Sequence, residues 1–180
     1  MVTNSKGFTL LELMVVIAIL GITTAIAAPA LSTMIANNRI QSSASDFVAA
    51  LQLAKAEAVA RVNPVTLCKS ADLTVCTDNG DWQQGWIVFS DENGDASVNG
   101  DDTVLLSHET LNEKITFGGT GGVTDFITLR PSGASSITTV EVLIMCDDRG
   151  FDHNSRGILV TITGRGSVMN AADTGEATCL

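Results

Sequence analysis

The sequence predicts an α+β protein: a long N-terminal helix, membrane-spanning in its first half and amphipathic in its second, packed on an antiparallel β-sheet or two-sheet head. Three observations predict it. An apolar run with a single charge occupies Phe8–Ala28. Apolar residues then recur at three- and four-residue steps up to Asn63-Pro64, where proline disfavours helix in the residue before it. Beyond Pro64, short runs rich in β-branched and aromatic residues alternate with Asn-Gly turns. The chain of 180 residues is therefore read as four segments: a polar leader (1–7), an apolar helix (8–28), its amphipathic continuation (29–63) and a β-rich head (64–180).

The composition requires such a division. The formal net charge is −10 and only 17% of residues are charged, yet 45% are hydrophobic and the mean hydropathy is +0.28. A chain both acidic and apolar makes sense when the two properties occupy different segments. The acidity also weighs against a general nucleic-acid coat, which needs clustered Lys and Arg to displace counterions.

The first helix reads FTLLELMVVIAILGITTAIAA, with Glu12 its one charged residue. A bilayer core takes about 20 apolar residues in a helix, so the run is long enough to span. It exceeds the roughly 7–15 residues of a signal-peptide core. Lys6, the one basic residue ahead of it, would stay on the cytoplasmic side and leave the rest of the chain outside. The competing reading is a secretory signal cleaved near Ala25-Ile26-Ala27. Glu12 speaks against it: a carboxylate costs about 2.5–3.5 kcal/mol at the bilayer centre, less near its edge, and a disposable signal has no use for one.

In the second half, Ile40, Ala44, Phe47, Val48, Leu51, Ala54 and Ala58 form one stripe, with Arg39, Asp46, Lys55 and Glu57 off it. This is a face to bury against the head. Strands are expected at 65–69, 86–90, 103–107, 126–130, 138–146 and 157–163. Asn79-Gly80, Asn93-Gly94 and Asn99-Gly100 serve as turns, and 118–122 (GGTGG) as a flexible connection. Strand order is not readable at this level.

Gly7-Phe8-Thr9-Leu10-Leu11-Glu12 resembles the processing site of type IV pilins and type II secretion pseudopilins. The resemblance implies that prepilin peptidase cuts between Gly7 and Phe8 and methylates the new amino group of Phe8. Glu12 would neutralise the N-terminal amine of a neighbouring subunit during assembly with other major and minor pilins. Two opposite charges in a low-dielectric bundle are tolerated as a pair. Gly21 and Pro29 match positions where pilin helices loosen or bend. Cleavage would remove Lys6 and leave the mature side chains one unit more negative. In the head, Leu67-Cys68, Cys76, Trp82, Gly85-Trp86-Ile87-Val88-Phe89 and Asp91…Asn93-Gly94-Asp95 resemble the GspH/FimT family of minor pseudopilins and minor pilins. Cys146-Asp147-Asp148-Arg149-Gly150, Arg156-Gly157, Thr163-Gly164-Arg165 and Cys179 are most similar to its FimT/FimU branch. The resemblance implies a single helix in the inner membrane, a head in the periplasm, the inner-membrane assembly machinery as partner and a final place in a surface filament.

Four cysteines in an exported chain predict disulfides. Three pairings exist. Cys68 and Cys76, close in sequence across an expected hairpin, would leave Cys146 for Cys179. Zinc is the rival, but the spacing lacks CxxC and neither His108 nor His153 lies near a cysteine pair. Asp91, Asn93, Asp95 and Asp102, with Ser97, Asn99 and Asp101 among them, place oxygens on near-alternate residues like the start of a calcium loop. The pattern departs from an EF-hand: Ala96 stands where glycine belongs and Asp102 where a bidentate Glu belongs. The alternative is a solvated hairpin loop.

No nucleophile pairs by motif with His108 or His153, so no enzyme is expected. FimT-type minor pilins are associated with DNA uptake through a C-terminal GRxR motif. Here Gly164-Arg165-Gly166-Ser167 lacks the second arginine. Arg149, Arg156 and Arg165 remain as candidate phosphate contacts, opposed by the acidity of the head.

Overall fold

The computed structural model describes residues 7–180; the rest of the expected leader, with Lys6, lies outside the described residues. The chain divides into two compact units, Met1–Asn38 and Arg39–Leu180. Helix α1 runs from Leu10 to Arg61. Its N-terminal end has a cap that the sequence carries as Thr9-x-x-Glu12: Thr9 Oγ1 accepts the Glu12 N–H at 3.2 Å, half of a capping box. Pro29 lies inside the helix, where it removes one backbone donor. Hydroxyls of Ser32 and Thr33 donate to the Pro29 carbonyl at 2.8 and 3.1 Å. In the first unit the apolar side chains are exposed, Phe8 at 78% and Ile26 at 73%.

The second unit holds eight strands: β1 (Val65–Lys69), β2 (Trp86–Ser90), β3 (Thr103–His108), β4 (Thr116–Gly119), β5 (Phe126–Leu129), β6 (Glu141–Cys146), β7 (Arg156–Val160) and β8 (Gly166–Asn170). They form two four-stranded antiparallel sheets, ordered β3-β2-β1-β5 and β4-β6-β7-β8. The expected two-sheet head is thus present, with two strands more than the sequence signals. β4 was hidden in the glycine run expected to be flexible. Its glycines instead permit close approach: a Cβ on Gly119 would lie 2.5 Å from the Val123 carbonyl, and one on Gly118 2.8 Å from Leu180 Cβ. β8 opens on Gly166, where a Cβ would meet Leu51 at 2.9 Å.

The α1 stripe Ile40, Ala44, Phe47, Leu51, Ala54 and Ala58 is buried and shares one core with Val65, Leu67, Trp86 and Val88 of the first sheet. Phe117, Leu143, Met145, Ile158 and Val160 of the second sheet belong to the same core. Alternate residues of the same strands face the other way and are buried too. Cys68, Ile87 and Phe89 lie under Leu73, Cys76 and Val98. Val142, Ile144, Cys146 and Ala171 pack with Phe151, Leu159 and Cys179. Burial on both faces explains why β1, β2 and β6 read as continuous rather than alternating apolar runs.

Disulfides join Cys68 to Cys76 and Cys146 to Cys179, with Cα atoms 5.6 and 6.0 Å apart. The first does not cross a hairpin as expected. Cys76 sits in a loop folded back over its own strand, with the Thr77 N–H donating to the Lys69 carbonyl at 3.1 Å. Phe47→Ala should lower head stability by about 3–5 kcal/mol, read from denaturant unfolding of the detergent-solubilised chain. Replacing Cys146 and Cys179 together by Ser should cost about 2–4 kcal/mol. The non-reduced, denatured protein should titrate with no free thiol.

Candidate functional site

At the N-terminus, Phe8 and Glu12 are exposed. Thr9 uses the Glu12 backbone N–H, while the Glu12 carboxylate itself bonds to nothing among the described residues. The negative group sits in the first turn, where the helix dipole favours it. The segment therefore presents an apolar helix with one unpaired carboxylate and, beside it, the Gly7-Phe8 bond.

The three candidate arginines do not form a common face. Arg149 is folded onto Asp147: its Nε donates at 2.9 Å and its Nη2 at 2.6 Å. This bidentate pair holds the Asp147 carboxyl below its ordinary range, mainly through the Arg149 hydrogen bond, and pushes the guanidinium up. Arg156 is spent inside the head. It donates to Gln41 Oε1 at 2.9 Å and to the Asn154 carbonyl at 2.8 Å, tying β7 to the helix. Arg165 alone is exposed with no side-chain partner among the described residues. Arg130, which the sequence reading passed over, is likewise exposed and makes no side-chain bond there.

Arg130 and Arg165 belong to neighbouring turns. The Gly133 N–H closes one onto Arg130 and the Gly164 N–H closes the other onto Thr161, while Ser135 N–H donates to Ile162 across them at 3.0 Å. The turns nest so tightly that a Cβ on Gly164 would lie 2.6 Å from the Gly133 carbonyl. Gly164 adopts φ +68°, a region that glycine enters freely. Lys55 lies beneath, its Nζ donating to the Thr163 carbonyl at 2.7 Å. The adjacency of residues so far apart in sequence has no local signal.

The candidate calcium oxygens accept hydrogen bonds within the chain. Asp91 is buried and accepts from Thr66 Oγ1 at 2.7 Å and from the N–H groups of Asp95 and Ala96 at 3.1 Å. Asp95 accepts from Asn93, Asn99 and the Ser97 N–H. These bonds, the Asn99 one first, hold its carboxyl below the usual range. Asp102 accepts from Glu92 N–H and Asn99 N–H at 2.9 and 3.0 Å. Among the described residues no group of three or more His, Cys, Asp or Glu side chains could hold a metal ion. The hairpin loop between β2 and β3 is organised by N–H donors where the motif alone suggested a cation. Asp72 does the same in the loop after β1, its carboxyl lowered to about 2 by the N–H groups of Thr74 and Val75.

The exposed apolar helix, its single early carboxylate and the two-sheet head define a pilin-like fold. The chain belongs to the Type II transport protein GspH family, which matches residues 43–166, and the prokaryotic N-terminal methylation motif matches residues 2–28. Among curated proteins none matches it. The structure is similar to that of the type IV minor pilin FimU of Pseudomonas aeruginosa, at TM-score 0.59 and 20% identity over 75% of this chain and 91% of that one. A second crystal form of FimU aligns at TM-score 0.54 and 20% identity, covering 73% and 94%. The minor pseudopilin EpsH of the Type 2 Secretion System of Vibrio cholerae aligns at TM-score 0.50 and 13% identity, covering 77% and 99%. At these identities the likenesses show the fold. The chain is thus a GspH-family protein with the pilin α+β fold, and its apolar helix and methylation motif suit membrane anchoring and entry into a filament.

Asp147 gives a pH signature. Its folded value is lowered from an unfolded value of about 3.9, so the stability it contributes is complete above that value. It is lost as pH falls through the lowered folded value. Asp147→Asn should therefore lower Tm at neutral pH and cease to matter in acid, where wild type and variant melts converge. The loop bonds predict that melts in millimolar calcium and in chelator coincide; a rise in Tm with calcium would contradict that assignment.

Proposed function

We propose that the chain is a minor subunit of a type IV pilus whose helix polymerises and whose head helps initiate assembly. Prepilin peptidase removes residues 1–7 and methylates Phe8. Before assembly the helix anchors the subunit in the inner membrane with its head in the periplasm, where the inner-membrane machinery and the other major and minor pilins receive it. One observation carries the reading: an exposed apolar run, 8–28, whose one carboxylate, Glu12, has no partner among the described residues. In a filament core that charge is tolerable only beside an opposite one, which the Phe8 amine of a neighbour supplies.

The alternative, a minor pseudopilin H acting in protein export by a type II secretion system, is favoured by the family match and by the likeness to EpsH. Deleting the gene separates the two: loss of surface pili with secretion intact supports the first, and the reverse supports the second. In either machine, Glu12→Val should leave cleavage at Gly7 intact and reduce the filament-bound fraction to background, read by N-terminal mass and by immunoblot of sheared filaments. Gly7→Val should leave the leader uncut.

A second role, weak DNA contact during uptake, is favoured by the pairing of Arg165 with Arg130 on nested turns. Such binding would be weak, because the acidic head repels DNA over distances comparable to a Debye length of about 8 Å, and it would be independent of sequence and salt-sensitive. A gel shift of the solubilised chain at low salt should weaken with Arg165→Ala and weaken further with Arg130→Ala. Each substitution should reduce the salt slope by about one. Binding unchanged in both variants would remove this role.

A further inference from the structure

Three Asn-Gly pairs lie in exposed loops of the head: Asn79-Gly80, Asn93-Gly94 and Asn99-Gly100. In sequence they are chemically equivalent. A glycine after asparagine leaves the following backbone nitrogen unshielded and free to turn toward the side-chain amide.

The structure separates them. Asn93 and Asn99 are clamped on one carboxylate, each donating Nδ2 to Asp95 Oδ2 at 2.9 Å. Asn93 Oδ1 also accepts the Asp95 N–H at 3.2 Å, and Asn99 Nδ2 donates to the Ser97 carbonyl at 3.1 Å. The Gly94 nitrogen is itself engaged, donating to the Asp91 carbonyl at 3.3 Å. Asn79 differs on both counts. Its carboxamide has no partner among the described residues, nor has the Gly80 N–H; only its backbone N–H and carbonyl are bonded, to Thr77 Oγ1 and Gln84 Nε2.

We infer that Asn79 is a site of spontaneous covalent modification, deamidating through a succinimide, while the Asp95 clamp protects Asn93 and Asn99. The Gly80 nitrogen gives its proton to water and attacks Asn79 Cγ. The new C–N bond forms as the Cγ–Nδ2 bond breaks, and ammonia leaves. One water then opens the ring at either carbonyl, giving aspartate or isoaspartate. No electrons are transferred and no cofactor is needed. The product adds a negative charge to the loop. As isoaspartate it also inserts a methylene into the main chain between the Asp78 and Gly80 carbonyls, which hold the buried Lys69 Nζ at 3.2 and 2.7 Å.

The test is peptide mapping by mass spectrometry, with isoaspartate detection, on the full chain in detergent at mildly alkaline pH. Conversion at Asn79 should run severalfold ahead of Asn93 and Asn99. In urea with the disulfides reduced, the three rates should converge, since the ranking comes from the fold. Asn79→Gln should abolish the fast conversion. Asp95→Ala, checked for folding by its melt, should raise the rates at Asn93 and Asn99 toward that of Asn79. Equal rates at the three sites in the folded chain, or protection of Asn79, would overturn the inference. So would Asn93 and Asn99 staying slow in a folded Asp95→Ala protein.

Discussion

Phe47 meets three aromatic rings edge-on, at centroid distances of 5.1 Å to Trp82, 5.4 Å to Trp86 and 5.0 Å to Phe117. Ring quadrupoles favour that geometry over face-to-face stacking, and the partners come from different parts of the head. Trp86 belongs to β2 in the first sheet and Phe117 to β4 in the second. Trp82 lies in the short turn before β2, anchored by its indole N–H to the Val123 carbonyl at 2.9 Å. One helix residue thus touches both sheets at once. His108 extends the cluster, stacking on Trp86 at 3.9 Å.

Once both inner faces are committed to the helix, the outer faces need covers of their own. A sheet with apolar residues on both sides cannot leave one side in water without losing about 25 cal/mol for each Å² exposed. The covers here are loops and a tail, elements with little secondary structure to hold them in place. Each is fastened by a disulfide to the strand it covers: Cys76 to β1 and Cys179 to β6. The cysteines therefore solve a packing problem created by the position of the helix, and restriction of the unfolded chain adds to their effect.

The helix, its two characters and six of the strands were legible because they follow from periodicities that the backbone imposes. β4 and β8 were not, because Gly118 and Gly166 are there to admit Leu180 and Leu51, partners distant in sequence. The site divides along the same line. Gly7, Phe8 and Glu12 form a contiguous motif. The surroundings of the arginines were not legible, because they depend on the folded loops. Arg149 and Arg156 are occupied by Asp147 and Gln41, whereas Arg130 joins Arg165 through turns that meet only in the fold. The alternating oxygens of 91–102 also fit two chemistries on paper, and which donors reach Asp91, Asp95 and Asp102 is decided only in the folded loop.

These assignments divide the chain by what it can satisfy internally. The head satisfies part of its acidity internally: Asp72, Asp91, Asp95 and Asp102 accept loop N–H groups, and Asp147 holds Arg149. The helix does the reverse. From Phe8 to Ile35 its large apolar side chains are exposed, and Glu12 keeps among them a carboxylate with no partner among the described residues. A polypeptide keeps such a surface in water only at large cost, and burying the charge demands an opposite partner. A membrane answers the first requirement and leaves the second open, whereas a bundle of like helices bearing N-terminal amines answers both. On the proposed reading, the unmet demands of residues 8–35 are what couples this subunit to a filament.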